Sequence, residues 1–264
     1  MELLLWIIGF SLLGGGASVM LASSFLLLSE NTRAVAVPHL VSFAVGALLG
    51  ASFLGLIPHA LEHKFHVDAH DVGLTLLLGL LAFFLLEKLV LWRHCHHDHC
   101  DGHLPDNKLQ HSHNRNQAAG TLILVGDTIH NFVDGILIAA AFMTDIHLGI
   151  VTALAIAAHE IPQELGDFII LLHSGFTRKK ALFYNILSSL GTVVGALLAY
   201  FALSDMQHVL PYILIIAASS FIYIAVADLI PGLHNKVKPS ETFYQVLLIA
   251  AGTIFIFITH NTLH

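Results

Sequence analysis

Two stretches of the chain place imidazole, carboxylate and amide side chains in apolar surroundings, and such groups together bind divalent transition metals. On a helix at about 100° per residue, the polar residues of the first stretch fall within an arc of about 100° and those of the second within about 140°. The pattern therefore predicts two polar helix faces that meet around a metal. The first stretch, TLILVGDTIHNFVDGILIAAAF, contains Asp127, His130, Asn131 and Asp134. The second, AIAAHEIPQELGDFIILL, contains His159, Glu160, Gln163, Glu164 and Asp167.

The spacing of these residues indicates how many ions they can hold. His130 and Asp134 are four residues apart, as are His159 and Gln163, so each pair can hold one ion on its helix face. The residue after each imidazole is rotated by about 100°, which predicts a second, adjacent metal position. Imidazole with carboxylate and amide oxygen suits Zn²⁺, Fe²⁺ or Mn²⁺, whereas an all-oxygen cage favours Mg²⁺ or Ca²⁺. Pro162 is expected to bend the second helix where these ligands crowd.

Composition places both helices in a membrane. Of the 264 residues, 56% are hydrophobic and only 11% are charged, whereas a soluble domain carries roughly 25% charged residues. A chain so poor in charge cannot cover a water-facing surface of this size, so we expect an all-α integral membrane protein. A crossing helix needs about 20 apolar residues. This rule predicts eight spans, at about 3–28, 38–61, 71–92, 119–143, 147–173, 179–203, 208–232 and 241–261.

The basic residues predict the orientation of these spans. Of eleven Lys and Arg residues, only Lys64 falls in an even-numbered loop, and the others lie in or beside the odd-numbered ones. Loops rich in Lys and Arg stay on the cytoplasmic side, so both termini are expected to face outward from a multi-pass protein of the cell membrane. The first apolar run is too long for a cleaved leader, and two cysteines are too few for a disulfide framework.

A short internal repeat indicates how the spans are arranged. GLIPHALEHK (55–64) ends span 2 and DLIPGLHNK (228–236) ends span 7. The odd offset of five spans predicts two copies of opposite orientation, as in many transporters. We therefore expect a single transmembrane domain over residues 1–264 in a 3+2+3 arrangement, in which spans 1–3 and 6–8 are inverted copies. Spans 4 and 5, which carry the polar residues, lie between them.

The polar residues within the spans need an explanation, since each charge near a bilayer centre costs roughly 2.5 kcal/mol or more. Polar side chains can simply join helices, and that explanation suffices for one isolated Asn or Ser. Five carboxylates and two imidazoles on facing helices instead indicate a functional site. A bound divalent cation would neutralise them and satisfy their lone pairs.

The same two stretches carry a family resemblance. GDTIHNFVDGILIAAAF and HEIPQELGDFIILLHSG resemble the paired signatures of the ZIP metal transporters, the zinc- and iron-regulated transporter family. Similarity is greatest to the branch whose fifth span reads H-E-x-P-x-E-x-G-D-F. The resemblance implies a homodimer that carries Zn²⁺ or a related ion (Fe²⁺, Mn²⁺ or Cd²⁺) toward the cytoplasm, through a two-metal centre lined by spans 4 and 5.

The resemblance also implies which residues bind metal. The first position would be lined by His130, Asp134, His159 and Gln163. The second would be lined by Asn131, Glu160 and the shared Gln163. Many relatives have His or Glu where this chain has Gln163, and a neutral amide is a weaker ligand that cannot bridge two cations as a carboxylate can. Asn185 and Ser189 in span 6 are further candidates for an oxygen ligand.

Two other groups of histidines lie in a loop or near the ends of the predicted spans. A His-rich cytoplasmic loop at about 93–118 is expected to capture delivered metal weakly, although an inert linker is the alternative. Its candidate ligands are His94, His96, His97, His99 and His103, with Cys95 and Cys100 as reduced thiols. An outer cluster could attract ions, or could consist of ordinary interfacial residues: His59, Glu62, His63, His66 and His70.

Two other functions compete with transport. HEIPQ begins like the zinc-protease signature H-E-x-x-H, but Gln163 stands where the second His is needed and Pro162 interrupts the helix. An intramembrane oxidase with clustered histidines would carry them at helix ends rather than inside spans. We therefore expect no enzyme and no nucleic-acid partner, and a metal sensor without transport is the remaining alternative.

Overall fold

The structure is a computed structural model that describes residues 2–62, 65, 67–95, 108–234 and 239–263. The described residues form helices and connecting turns and contain no β-strand. We number the helices α1 to α8, counting a helix that continues through an internal π-helical turn once. The bounds are Glu2–Phe25 (α1), Glu30 to Ala60 (α2), Ala69–Cys95 (α3), Lys108–Thr144 (α4), Ile146–His173 (α5), Arg178–Leu203 (α6), Leu210 to Leu233 (α7) and Pro239–Leu263 (α8).

Seven of these helices are long and apolar enough to cross a membrane. The exception is α5, which has 28 residues but carries the polar residues of the second stretch. Large apolar side chains also cover the outer surface, and on α3 Leu77, Leu81 and Leu85 are each more than half exposed, one turn apart. An apolar face of this extent suits lipid rather than water.

Two helices begin earlier than the apolar runs suggest. α2 begins at Glu30 and includes Pro38, whereas the predicted span begins at 38. α4 begins at Lys108, so part of the predicted loop at about 93–118 is helical. A count of apolar residues locates the membrane-embedded part of a helix, but a helix can continue into water. His96, His97, His99 and His103 of that loop, and His63 and His66 of the outer cluster, lie outside the described residues.

Glycines bring two pairs of helices into close contact. α4 packs on α6, where a Cβ at Gly135 would overlap the Thr192 carbonyl and one at Gly195 would overlap the Phe132 carbonyl. α2 packs on α8 in the same way, through Gly46. Small residues at such contacts let helix backbones approach each other in a membrane. The α4–α6 contact matters for function, because it holds polar residues of α6 against the polar face of α4.

α5 is one continuous helix through Pro162, with a defined cap at each end. At its start the Asp145 carboxylate accepts hydrogen bonds from the N–H groups of His147 and Leu148. Burial alone would raise the pKa of Asp145, but these hydrogen bonds hold it below its ordinary value. At the other end Gly175 adopts φ 88°, and Phe176 donates its N–H to the Leu171 carbonyl. These caps fix the part of the chain that presents the second polar face.

Three π-helical turns interrupt the helices, at Leu13–Ala17 in α1, Ala51–Leu56 in α2 and Ile224–Leu229 in α7. The second and third each have six residues and are each followed at once by Ile-Pro. Single π-helical turns often occur at functional sites. The two halves of the internal sequence repeat therefore share a backbone irregularity as well as a tripeptide.

Candidate metal centre

Four side chains from α4 and α5 converge on one point. The Nε2 atom of His130 lies 3.3 Å from Glu160 Oε1 and 3.7 Å from Asp134 Oδ2. The Nε2 atom of His159 lies 3.5 Å from Asp134 Oδ2 and 3.8 Å from Glu160 Oε1. The two Nε2 atoms are 3.3 Å apart. All four groups therefore present one ligand atom to a common centre, and three of the four residues are almost completely buried.

These separations match the geometry that zinc prefers. Nitrogen and carboxylate ligands bind Zn²⁺ at about 2.0–2.2 Å in a tetrahedron, so the ligand atoms lie about 3.3–3.6 Å from one another. The measured separations of 3.3–3.8 Å are close to this range. Two neutral imidazoles and two carboxylates would also cancel the charge of a divalent cation. The four residues fit a metal ion with only small adjustments.

The imidazole of His159 is oriented for metal binding. Its Nδ1 lies 3.2 Å from the Ala155 carbonyl, which fixes the proton on Nδ1. The Nε2 lone pair is then directed at the centre. A hydrogen bond of this kind is the usual way in which a protein sets the tautomer of a histidine ligand.

The carboxylates of the centre have no other partner. Both oxygens of Asp134, Glu160 and Glu164 are buried and accept no hydrogen bond from the described residues. The imidazole nitrogens approach Asp134 and Glu160 without the alignment of a hydrogen bond. Buried carboxylates are strongly destabilising unless they are paired or bind a metal. A bound cation would satisfy these carboxylates, whereas contact between the helices alone leaves them without a hydrogen-bond partner among the described residues.

A second cluster contains only carboxylates. One oxygen from each of Asp127, Glu160 and Glu164 lies within 4.8 Å of the others, and all three residues are buried. Glu160 therefore belongs to both clusters. A carboxylate has two oxygens and can bridge two cations, so the bridging role that the resemblance implied for Gln163 falls to Glu160 in this geometry.

Asp127 is held in place by two neighbours. Its Oδ1 accepts a hydrogen bond from the Asn131 amide at 3.0 Å, and its Oδ2 accepts one from the Ser188 hydroxyl. The Asn131 carbonyl oxygen in turn accepts a hydrogen bond from Thr192 at 2.8 Å. Asn131, which was expected to be a metal ligand, is thus occupied with orienting Asp127. The α6 helix supplies both supporting hydroxyl groups.

The remaining predicted residues lie around this core. Gln163 and Asp167 are partly buried on α5, one turn beyond His159 and two turns beyond Glu160 respectively. The Gln163 amide makes no hydrogen bond to another described residue. Asn185 is buried, and neither atom of its amide has a hydrogen-bond partner among the described residues. The Ser189 hydroxyl donates to the Ile186 carbonyl of its own helix.

Ser188 and Thr192 are the contributors that the sequence did not single out. With Asn185 they form a stripe at positions i, i+3 and i+7 on one face of α6, and all three are buried. A scan of span 6 for polar residues at helical spacing would have found this stripe. The hydroxyl groups are uncharged and common in membrane helices, which is why they attract less attention than the charged residues of spans 4 and 5.

The outer histidine cluster is described only in part. His59 is buried near the end of α2, with its Nε2 3.6 Å from Glu62 Oε1. Its ring packs edge-on against His260 of α8, with 5.2 Å between centroids. His70 is exposed. The structure thus joins His59 to α8, which the sequence did not indicate.

Comparison with known proteins identifies the family of this chain. The family model described as ZIP zinc transporter matches residues 2–260. Zinc transporter ZIP13 of Gallus gallus is 31% identical over 84% of this chain and 74% of its own length. Zinc transporter YKE4 of Saccharomyces cerevisiae is 31% identical over 88% and 71%. Zinc transporter zipt-7.1 of Caenorhabditis briggsae is 28% identical over 96% and 78%. The resemblance seen in the two polar stretches extends over nearly the whole sequence, and the chain belongs to the ZIP zinc transporter family.

Proposed function

We propose that the protein carries Zn²⁺, or a related divalent ion, across the membrane through the centre between α4 and α5. The observation that carries the proposal is the convergence of His130, Asp134, His159 and Glu160 at separations close to those of a tetrahedral zinc site. Zinc is the substrate here, and the protein is not an enzyme. Membership of a transporter family supports this function over the enzyme and sensor alternatives.

The two clusters suggest the direction of movement along α5. The ion binds first among the two imidazoles and two carboxylates, and Glu160 then passes it to Asp127 and Glu164. Asp167 and the loop histidines lie further toward the cytoplasmic end in the predicted orientation. Imidazole ligands favour selection of a transition metal, whereas an all-oxygen cluster holds zinc less tightly and favours release.

The proposal includes an eight-span arrangement in the cell membrane, with both termini outside. α5, with 28 residues, reaches about 42 Å, which exceeds the roughly 30 Å of a bilayer core. Its charged residues face α4, so it can cross while shielded from lipid. The matching π-helical turns before the two Ile-Pro pairs support the 3+2+3 inverted repeat. Labelling of residues in the short turns from each side of the membrane would test this topology.

The proposed ligands are the residues of the two clusters, and their neighbours support them. Asn131 and Gln163 are assigned to the surroundings of the ligands, and Asn185 remains a candidate because its buried amide has no partner among the described residues. A homodimer is the assembly that the family resemblance implies. Cross-linking in native membranes would test it, and recovery of monomer alone would reject it.

Zinc uptake by proteoliposomes tests the proposed function. Wild-type protein should accumulate Zn²⁺ inside vesicles loaded with a zinc-sensitive dye. His130→Ala and Asp134→Ala each remove a ligand, so uptake should fall to the level of empty vesicles. Competition by Fe²⁺, Mn²⁺ and Cd²⁺ in the same assay would rank the substrates.

The matched control is His208→Ala, since His208 is an exposed histidine between α6 and α7. Its uptake should equal that of the wild type, and all variants should elute as folded protein. Unchanged uptake in both ligand variants would reject the proposal.

A further inference from the structure

A cavity of about 630 Å³ lies between the beginning of α2, the end of α5 and the beginning of α6, and no residue of α4 lines it. Seven of its lining residues are apolar. The other three are basic or imidazole side chains, Arg33, His173 and Arg178. None of the lining residues is acidic. The lining is thus cationic at one end of the helices and apolar along them.

The cationic groups of this cavity are not neutralised within the described part of the chain. The Nε of Arg33 is buried without a hydrogen-bond partner. Neither Arg33 nor Arg178 forms an ion pair with a described carboxylate. The His173 ring is fixed by a 2.9 Å contact between Nδ1 and the Ile169 carbonyl, which leaves Nε2 for a ligand. The two guanidinium groups and the imidazole nitrogen therefore favour an anionic ligand.

We propose that this cavity binds an anionic phospholipid, with the phosphate between Arg33 and Arg178. Guanidinium groups bind phosphate through paired hydrogen bonds, and basic pockets between membrane helices are typical sites for anionic headgroups. The apolar part of the lining, including Val37, Leu165 and Leu172, accommodates the glycerol and the first part of the acyl chains. A free phosphate would leave that part of the cavity unused.

The site is separate from the metal pathway. Two guanidinium groups repel a divalent cation, so zinc is excluded from this side of α5. The occupant would nevertheless contact the metal-binding helix, because Leu165 follows Glu164 directly and Ile169 lies one turn further. A lipid held there braces α5 against α2, and we expect transport to depend on anionic lipid. This consequence depends on the proposed function, whereas lipid binding itself does not.

Thermal stability of the purified full-length protein tests the proposal. In neutral detergent, added dioleoylphosphatidylglycerol should raise Tm by about 3 °C relative to dioleoylphosphatidylcholine, because it binds only the folded state. The double variant Arg33→Gln with Arg178→Gln should lose this difference. Lys179→Gln with Lys180→Gln is the matched control, since it removes the same number of positive charges from residues next to Arg178 that do not line the cavity. The control should keep the full difference.

Three results would overturn the proposal. If the control variant also lost the difference in Tm between the two lipids, the effect would reflect general electrostatic attraction and not a specific site. Equal stabilisation by inorganic phosphate at the same concentration would assign the cavity to a soluble anion. The third result comes from wild-type protein extracted from vesicles that contain equal amounts of both lipids. If native mass spectrometry shows that the protein retains neither lipid preferentially, the proposal is rejected. This last measurement needs no variant, so it stands even if the arginine substitutions prevent folding.

Discussion

The two clusters between α4 and α5 share Glu160 but differ in chemistry and in support. The first has two imidazoles and two carboxylates, and each Nε2 atom lies 3.3–3.8 Å from the other Nε2 and from the carboxylate oxygens. The second has three carboxylates within 4.8 Å, and Asp127 is already hydrogen-bonded to Asn131 and Ser188. The carboxylates of the first cluster could therefore accept a metal without giving up a hydrogen bond to another described residue, whereas in the second Asp127 would have to exchange a hydrogen bond for the metal.

This difference assigns different tasks to neighbouring residues on one helix. Imidazole nitrogen distinguishes transition metals from Ca²⁺ and Mg²⁺, so in the proposed function the first cluster selects the ion. Oxygen ligands alone discriminate less and release zinc more readily, so the second cluster suits onward passage. Glu160 links the two tasks, because its two oxygens can face both clusters at once.

Glu160→Gln should have the largest effect, because it alters both clusters together. Loss of a supporting residue typically weakens metal binding 10–100-fold, so loss of the shared ligand should weaken zinc binding by about 100-fold or more. Uptake should become undetectable. Calorimetric titration with Zn²⁺ and proteoliposome uptake measure the two quantities. Retention of tight binding would show that Glu160 is not a ligand of the first cluster.

Glu164→Gln should separate the two clusters, because Glu164 belongs only to the second. Zinc binding at the first centre should weaken much less than with Glu160→Gln, because Glu164 supplies no ligand atom to that centre and contributes only a neighbouring charge. Uptake should fall by about tenfold, as expected when a step after binding is slowed. A parallel loss of binding and uptake would mean that the two clusters act as one site.

Gln163→His should strengthen the first cluster selectively. It adds an imidazole one turn from His159, and imidazole binds Zn²⁺ more tightly than Mn²⁺. We expect about tenfold tighter zinc binding and a larger preference for Zn²⁺ over Mn²⁺ in competition assays. Slower uptake is expected as well, since tighter binding delays release. An unaltered ion profile would show that position 163 does not reach the centre.

Much of this site follows from the sequence because charge inside a membrane is so costly. The presence of charged residues in spans 4 and 5 and their helical spacing predicted the facing sets, including His130, Asp134, His159 and Glu160. Family membership confirms the predicted resemblance and the assignment as a transporter. The polar faces were predictable because a helix fixes the direction of each side chain from its position alone.

The pairing within the site was less predictable, because it depends on how far each side chain reaches across a helix interface. Periodicity places Asn131 and Glu160 on their helix faces, but it does not show that Thr192 binds Asn131 or that Glu160 meets both clusters. Those contacts depend on the close approach of α4 and α6 at Gly135. The arrangement of eight spans likewise remains a prediction, since α5 is too polar to be identified as a span by composition.

Ser188→Ala should have the smallest effect and should act on the second cluster alone. The Ser188 hydroxyl donates to Asp127, and a hydrogen bond to a charged group contributes about 1.5–3 kcal/mol. Without it Asp127 still accepts a hydrogen bond from Asn131, so only part of this energy is lost and uptake should fall roughly threefold, while the zinc affinity of the first centre stays unchanged. Ser189→Ala is the matched control, because its hydroxyl bonds only the Ile186 carbonyl and its loss should leave uptake intact. If both substitutions reduced uptake equally, the reduction would be due to altered packing of α6 and not to the hydrogen bond on Asp127. A change in zinc affinity with Ser188→Ala alone would instead show that Asp127 contributes to the first cluster, and the distinction between selection and passage would then fail.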